Sequence, residues 1–301
     1  VAAAVQRDVV EVQDTGHESI LSCHRRHTGQ MRGGRAGRSP FGSGPERRHS
    51  LWWSSVEPLN LPVSIVLALW APVPSSHGLL LVQGPDGVHD VIGAASDGID
   101  IDASIGSADD PERVGLEQWL AGARPLTRVT AVLPSPISSA GAWGIVPDIE
   151  EGVVVEGATG RVLLVPEDSG ASVAWRAKPM ASPMPPLDAA HARRRVHAAT
   201  EEAIDSLIEL DLARERPEMA DALNDLLTAV VEPSLIPPWL SGRNRELLER
   251  SLRLAEICEL ALGDDGAAMT ALQAQRRSGV LRPLLAVARH GAAAATEWWA
   301  R

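Results

Sequence analysis

Six carboxylates crowd one glycine-rich stretch of this chain: Asp97, Asp100, Asp102, Asp109, Asp110 and Glu112. Hard oxygen ligands at that density suit Mg²⁺ or Ca²⁺, and a metal-dependent hydrolase is the chemistry they would serve. The spacing matches no EF-hand, however, and acidic glycine-rich loops are usually solvated connections, so these are weak metal candidates. His89 and Asp90, with Ser75, Ser76 and His77 upstream, supply the residue types of a nucleophilic triad. Closeness in sequence does not make a triad, and polar residues beside a turn are usually surface. His17, Cys23, His24 and His27 are zinc-ligand types with one thiol and no second cysteine pair, which reads as a polar tail. His197 and Glu201, one helical step apart behind Arg193, Arg194 and Arg195, read as a hydrated face with a weak ion pair. Arg276, Arg277, Arg282 and Arg289 form a further positive cluster that intramolecular pairing with Asp264 and Asp265 would explain.

Recognised catalytic patterns are missing. The glycine-rich Gly33–Arg38 neither follows a strand nor opens a helix, so it fails the context a phosphate loop needs. The chain holds no GxSxG elbow, Walker lysine motif or HExxH. It therefore reads as non-catalytic, with no cofactor. Tryptophan carries the remaining signal: Trp52-Trp53 and Trp298-Trp299 sit at the two ends of the expected folded region. Adjacent residues in a helix cannot share one face, so at least one ring of 298/299 is poorly covered by a simple bundle. These four tryptophans are the expected interaction surface, for a second copy or another protein. The competing reading folds one pair over the other within the chain.

The elements that must position these residues fall into three parts. Residues 1–50 are rich in Gly, Arg and Ser without an apolar period, and are expected to be a disordered tail or a start assigned too early. Residues 51–182 carry strand signals and residues 183–301 helical ones. Val63–Trp70 is a short apolar run that suits a buried strand or a short helix. Gly78–Gln83 and Gly87–Ala94 flank Pro85-Asp86 as a hairpin would. Val114–Ala123 reads as a helix with Leu116, Trp119 and Leu120 inward, and Thr127–Pro134 as a strand completing a β-α-β step. Gly152–Gly157 and Arg161–Glu167 form a second hairpin, and Ala171–Ala177 ends the sheet region. Lys178–Leu187, with four prolines, reads as a linker.

Five helices are then expected. Asp188 caps the first, to about Arg214, with Val196, Ala199, Ala203, Ile204, Leu207, Ile208 and Leu210 on its inner stripe. Pro217 opens the second and Pro233 ends it. Ser241 caps the third, RNRELLERSLRLAEICELAL, which buries Leu247, Leu248, Ser251, Leu254, Ala255, Cys258, Ala261 and Leu262. A fourth ends near Gln275, and a fifth runs from Val280 through Trp299 with Pro283 in its first turn. Short connections imply antiparallel neighbours. The fold class is α+β: a mixed β-sheet domain followed by a C-terminal antiparallel helical bundle.

Charge narrows the partners. The net −11 divides into +3 over residues 1–50 and −14 over the rest. A part that acidic repels phosphate backbones and anionic membrane surfaces, so nucleic acid and membrane are not expected partners. No apolar run reaches the length of a membrane span, and charges at Arg7, Asp8 and Glu11 interrupt any leader-like core. Cys23 and Cys258 suggest no disulfide framework, which fits a cytoplasmic protein. There is one Lys, no Tyr and one Phe, with abundant Ala, Gly, Arg and Pro, a bias of GC-rich codons.

GIVPDIEEG, VAWRAKP, ELDLARERPEMADAL and the long segment from Pro237 to Ala295 together resemble an uncharacterised actinobacterial protein family. The resemblance covers roughly residues 60–300. It implies an actinobacterial source and a genuine start near residue 50, and it carries over no activity and no catalytic residue. The leading expectation is a cytoplasmic, non-catalytic binding or assembly protein, self-associating through the helical domain. A metal-dependent hydrolase using the 97–112 loop is the alternative.

Overall fold

The computed structural model describes residues 58–84, 87–93, 113–135, 149–157, 160–168, 172–209, 224–263 and 271–300. The first helix, α1 (Val63–Trp70), is apolar on every side, and Ser64 to Trp70 are all buried. That is why periodicity could not separate helix from strand here. Its first turn is closed from outside by the Glu151 carboxylate, which accepts from the Ser64 N–H at 3.0 Å. At its other end, Trp70 Nε1 donates to the Leu235 carbonyl, and Trp239 Nε1 donates to the Leu69 carbonyl.

The expected hairpin at 78–94 is not formed, because Ser76–Gln83 is a helix (α2). Ser75 is its N-cap, its hydroxyl accepting from the Gly78 N–H. Gly78 and Val82 turn inward while Leu80 is 64% exposed, a helical division of an apolar run that does not alternate. Asp90–Ile92 (β1) and Arg113–Gly115 (β2) pair antiparallel, and Leu116–Gly122 (α3) follows with Leu116, Trp119 and Leu120 buried as expected. The remaining strands are Leu126–Val132 (β3), Gly152–Gly157 (β4), Gly160–Asp168 (β5), Val173–Pro179 (β6) and Trp298–Trp299 (β7). They form one seven-stranded sheet in the order β2-β1-β6-β5-β4-β3-β7.

Among the described strands only β1 and β6 pair parallel, so the sheet is mixed. The β4–β5 hairpin forms as expected, with Gly157 opposite Gly160. β6 does not end the sheet; it lies between β1 and β5. The β2-α3-β3 step joins strands in opposite halves of the sheet rather than neighbours.

Both faces of the sheet are covered, which explains runs such as VVV and VLLV that lack a polar alternation. Val153, Val155, Val162 and Leu164 face the main core with α1, whereas Val154, Leu163 and Val165 face a smaller cluster. Met184 seals that smaller cluster, with Met180 and Leu187 packed against it. The proline-rich segment is therefore a cover over the second sheet face, not a loose linker. Proline suits that role because it lies flat without demanding a ladder of backbone bonds.

Beyond it, Asp188 Oδ1 accepts from the Ala190 and His191 N–H groups and starts α4 (Ala189–Glu209). Val196, Ala203, Ile204 and Leu207 are buried on it, while Ile208 is exposed. A helical stretch at 224–228 and a 3₁₀ turn at Pro233–Leu235 lead to α5 (Gly242–Gly263), capped by Ser241. Every residue of its expected inner face is buried except Leu262, which is partly so, with Leu252 and Ile257 added.

The two expected helices either side of Ser278-Gly279 are one helix, α6 (Ala271–Ala295), with Pro283 inside it. Pro283 lacks the N–H that would bond the Gly279 carbonyl. Both residues are exposed, so water can satisfy that carbonyl and the helix continues. α5 and α6 are antiparallel: Ser251 meets Gly291, and Arg277 donates to the Ala261 carbonyl. A Cβ at Gly291 would strike Ser251 Oγ and come within 2.8 Å of Val196 Cγ2, so three helices meet where it has no side chain. The main core draws on both halves of the chain, from Ile65, Val129 and Trp175 to Val196, Leu248 and Ala292. The fold is α+β.

Candidate functional site: the C-terminal edge and the groove beside the first helix

The largest departure from the expected helices is at the C-terminus. Trp298-Trp299 is not helical: α6 stops at Ala295 and the chain turns into the sheet as β7. Thr296 makes the turn. Its hydroxyl donates to the Ala293 carbonyl at 2.8 Å and accepts from the Ala131 N–H at 2.9 Å, satisfying a helix end and a strand together. Trp298 then lies opposite Val129, and Trp299 opposite Arg128. In a strand neighbouring side chains alternate, so Trp298 joins the main core while Trp299 lies on the other face.

Arg128 decides that edge. Its guanidinium is 1% exposed, and all five of its N–H donors are used. Nε donates to Glu297 Oε1 at 2.8 Å, and Nη2 to Glu297 Oε2 at 3.3 Å. Nη1 donates to Glu156 Oε1 at 3.2 Å and to the Met184 carbonyl at 2.6 Å, and Nη2 to the Pro185 carbonyl at 3.0 Å. Arg161 lies 3.4 Å from the other Glu156 oxygen, giving two cations and two carboxylates. The Trp299 ring lies over the guanidinium, 4.9 Å away, and is 46% exposed. One side chain thus joins β3, β4, the proline-rich cover and the end of α6. The sequence reading missed it, although a lone arginine in an apolar strand was its signal: arginines are almost never fully buried unless paired.

A groove of about 220 Å³ opens between α1, α2 and α3. Leu67, Trp70, Val73, Leu79, Val82 and Leu120 make its apolar walls, and Arg124 and Glu117 are its charged lining.

The candidate triad does not assemble. His89 is buried and its Nδ1 accepts from Trp175 Nε1 at 3.2 Å. Asp90 pairs with Arg113, Ser75 caps α2, and His77 packs edge-on against Trp70. His197 and Glu201 are 3.7 Å apart and exposed, the weak surface pair expected. Arg289 bonds Glu259 and the Pro134 carbonyl, and Arg277 the Ala261 carbonyl, whereas the expected partners Asp264 and Asp265 lie outside the described residues. Burial, with Glu259 adding to it, pushes the Cys258 thiol up to about 12, leaving it an inert core thiol.

His17, Cys23, His24, His27, Trp52, Trp53 and the carboxylates Asp97, Asp100, Asp102, Asp109, Asp110 and Glu112 lie outside the described residues. Among the described residues, no three His, Cys, Asp or Glu side chains are grouped to hold a metal ion. No helix among them is long and apolar enough to cross a membrane.

Residues 190–293 match a family model described as Rv1486c-like protein, C-terminal domain. The match takes in α4, α5 and nearly all of α6, about a third of the chain, and is consistent with the resemblance seen over Pro237–Ala295. It stops before Thr296, so the turn into the sheet and both tryptophans of β7 lie beyond it. Neither a curated protein nor a solved structure matches the chain.

Proposed function

We propose that this is a non-catalytic binding and assembly protein that associates with a second copy of itself, and that β7 makes the contact. In this reading the chain is organised as a sheet half, 51–182, and a helical half, 183–301, whose last residues complete the sheet. The supporting observation is Trp299: a large aromatic ring, 46% exposed, at the edge of a seven-stranded sheet. Its position is fixed from below by a guanidinium with no donor to spare, so little ordering entropy is lost when a partner covers it. An edge strand presents backbone groups to a partner, and two identical edges pair antiparallel about a two-fold axis.

Each Trp299 offers roughly 100 Å² of ring, on the order of 2–3 kcal/mol per copy when buried. A stable dimer needs about 800 Å² per partner, so neighbouring surface must contribute beside it. Sedimentation velocity across a concentration series tests the reading. The wild-type chain is expected to dimerise, and W299S to weaken the dimer at least thirtyfold while keeping its circular dichroism spectrum. A wild-type chain that stays monomeric at the highest concentrations, or a W299S dimer of unchanged affinity, refutes the proposal.

A further inference from the structure

The groove between α1, α2 and α3 holds a cation, Arg124, that forms no ion pair with a carboxylate among the described residues. Arg124 follows the last turn of α3, and its Nη2 donates to the Ala71 carbonyl at 2.9 Å. That bond anchors one corner of the guanidinium at the C-terminal end of α1 and leaves four of its five N–H donors for other partners. Among the described residues no carboxylate forms an ion pair with it. Its surroundings are apolar: Leu67 and Trp70 from α1, Val73 from the following turn, Leu79 and Val82 from α2, and Leu120 from α3. Partial burial lowers the Arg124 pKa, the direction expected where protein has displaced water from the charge. A guanidinium so placed interacts more strongly with an anion than one in bulk water.

From this juxtaposition, apolar walls ending at an anchored guanidinium that no carboxylate among the described residues pairs, we infer that the groove is a binding site for a small monocarboxylic acid. The acid has an aliphatic or aromatic body. The body lies against Trp70, Leu79 and Leu120, and the carboxylate meets Arg124. An apolar cavity of about 150 Å³ accepts benzene, so about 220 Å³ accommodates a six-carbon chain or a single ring with its carboxylate. Glu117, the other charged lining residue, stands on α3 and forms no ion pair with Arg124. Its charge discourages a second carboxylate on the ligand. The site goes beyond the assembly proposal and lies on different elements from β7, so either can fail alone.

The test is isothermal titration of the 301-residue chain with hexanoate and with benzoate, beside 1-hexanol as the neutral analogue. Binding with a dissociation constant of about a millimolar or tighter is expected for at least one acid, and 1-hexanol is expected to bind at least tenfold more weakly than hexanoate. R124M keeps the aliphatic stem and loses the charge, and should weaken the acid at least tenfold with little effect on 1-hexanol. V73W fills the groove from its rim, leaves Arg124 in place, and should abolish both. Circular dichroism of each variant confirms that it is folded. No binding of either acid up to about 10 mM overturns the inference. So does equal affinity for hexanoate and 1-hexanol, or acid binding that survives V73W.

Discussion

Replacing Arg128 by methionine is expected to be among the most damaging single changes in the sheet. Met keeps most of the apolar stem and removes all five donors. The Glu297 side chain is 6% exposed and that of Glu156 13%, so both carboxylates stay largely out of water when their partner goes. Glu156 keeps Arg161 at 3.4 Å. Glu297 has no other ion pair among the described residues, and the Met184 and Pro185 carbonyls lose their donor as well. Breaking a buried pair from one side costs about 3–5 kcal/mol, because the remaining charge is stranded. With m near 3 kcal/mol/M for a chain of this size, the urea midpoint should fall by about 1–1.7 M.

The diagnostic variant is R128M/E297Q. Neutralising Glu297 removes the stranded charge, so the double variant should be more stable than R128M alone by at least about 1 kcal/mol, although E297Q alone destabilises. R128K should rescue little, since an ammonium offers at most three donors and no planar fork. Urea unfolding followed by circular dichroism reads the wild type and all four variants. If R128M costs under about 1 kcal/mol, or if the two substitutions simply add, the network does not hold the C-terminal edge and the reasoning fails.

Three further outcomes are expected. Gly291→Ala places a methyl group against Ser251 Oγ and Val196 Cγ2, and overpacking of this kind should cost about 1–3 kcal/mol; an unchanged melting temperature would show that the three helices can part cheaply. Burial, with Arg195 and His191 nearby, holds His290 below its ordinary pKa, so the unfolded chain takes up its proton at a higher pH than the folded one. Its contribution to stability is therefore complete above pH ~6.5 and lost as the pH falls through the folded value. H290Q should flatten the pH dependence of the urea midpoint below that point, and a parallel profile would contradict this. In a C23S background, Cys258 should stay unreactive to a disulfide reagent at pH 8 until urea unfolds the chain, since its thiolate forms only near pH 12; rapid labelling of the folded protein would disprove its burial.

How much of this molecule was legible in advance depended on the range of the forces involved. The α5 face from Leu247 to Ala261, the caps at Asp188 and Ser241, and the β4–β5 hairpin were readable because each depends on residues a few positions apart. The α+β class followed from the same local patterns, taken segment by segment. Ser76–Gln83 forms a helix where a hairpin was expected because a short apolar run carries little periodicity, and the Ser75 cap outweighs the nearby turn residues. The continuity of α6 past Ser278-Gly279 was misread because a proline break is tolerated where both ends of the missing bond face water, and exposure is a tertiary property.

The C-terminal edge lay beyond any local pattern. Trp298 and Trp299 end a helical stretch and become a strand because β3 offers them a ladder, and Arg128 is buried because Glu297, 169 residues away in sequence, comes to meet it. The proline-rich stretch likewise became a cover only because a sheet face beneath it needed one. The sequence by itself determined which segments could be helix or strand and which sides of them were apolar. The tertiary structure alone decided which charge could be buried, since desolvating an arginine is tolerable only where partners from distant segments arrive together.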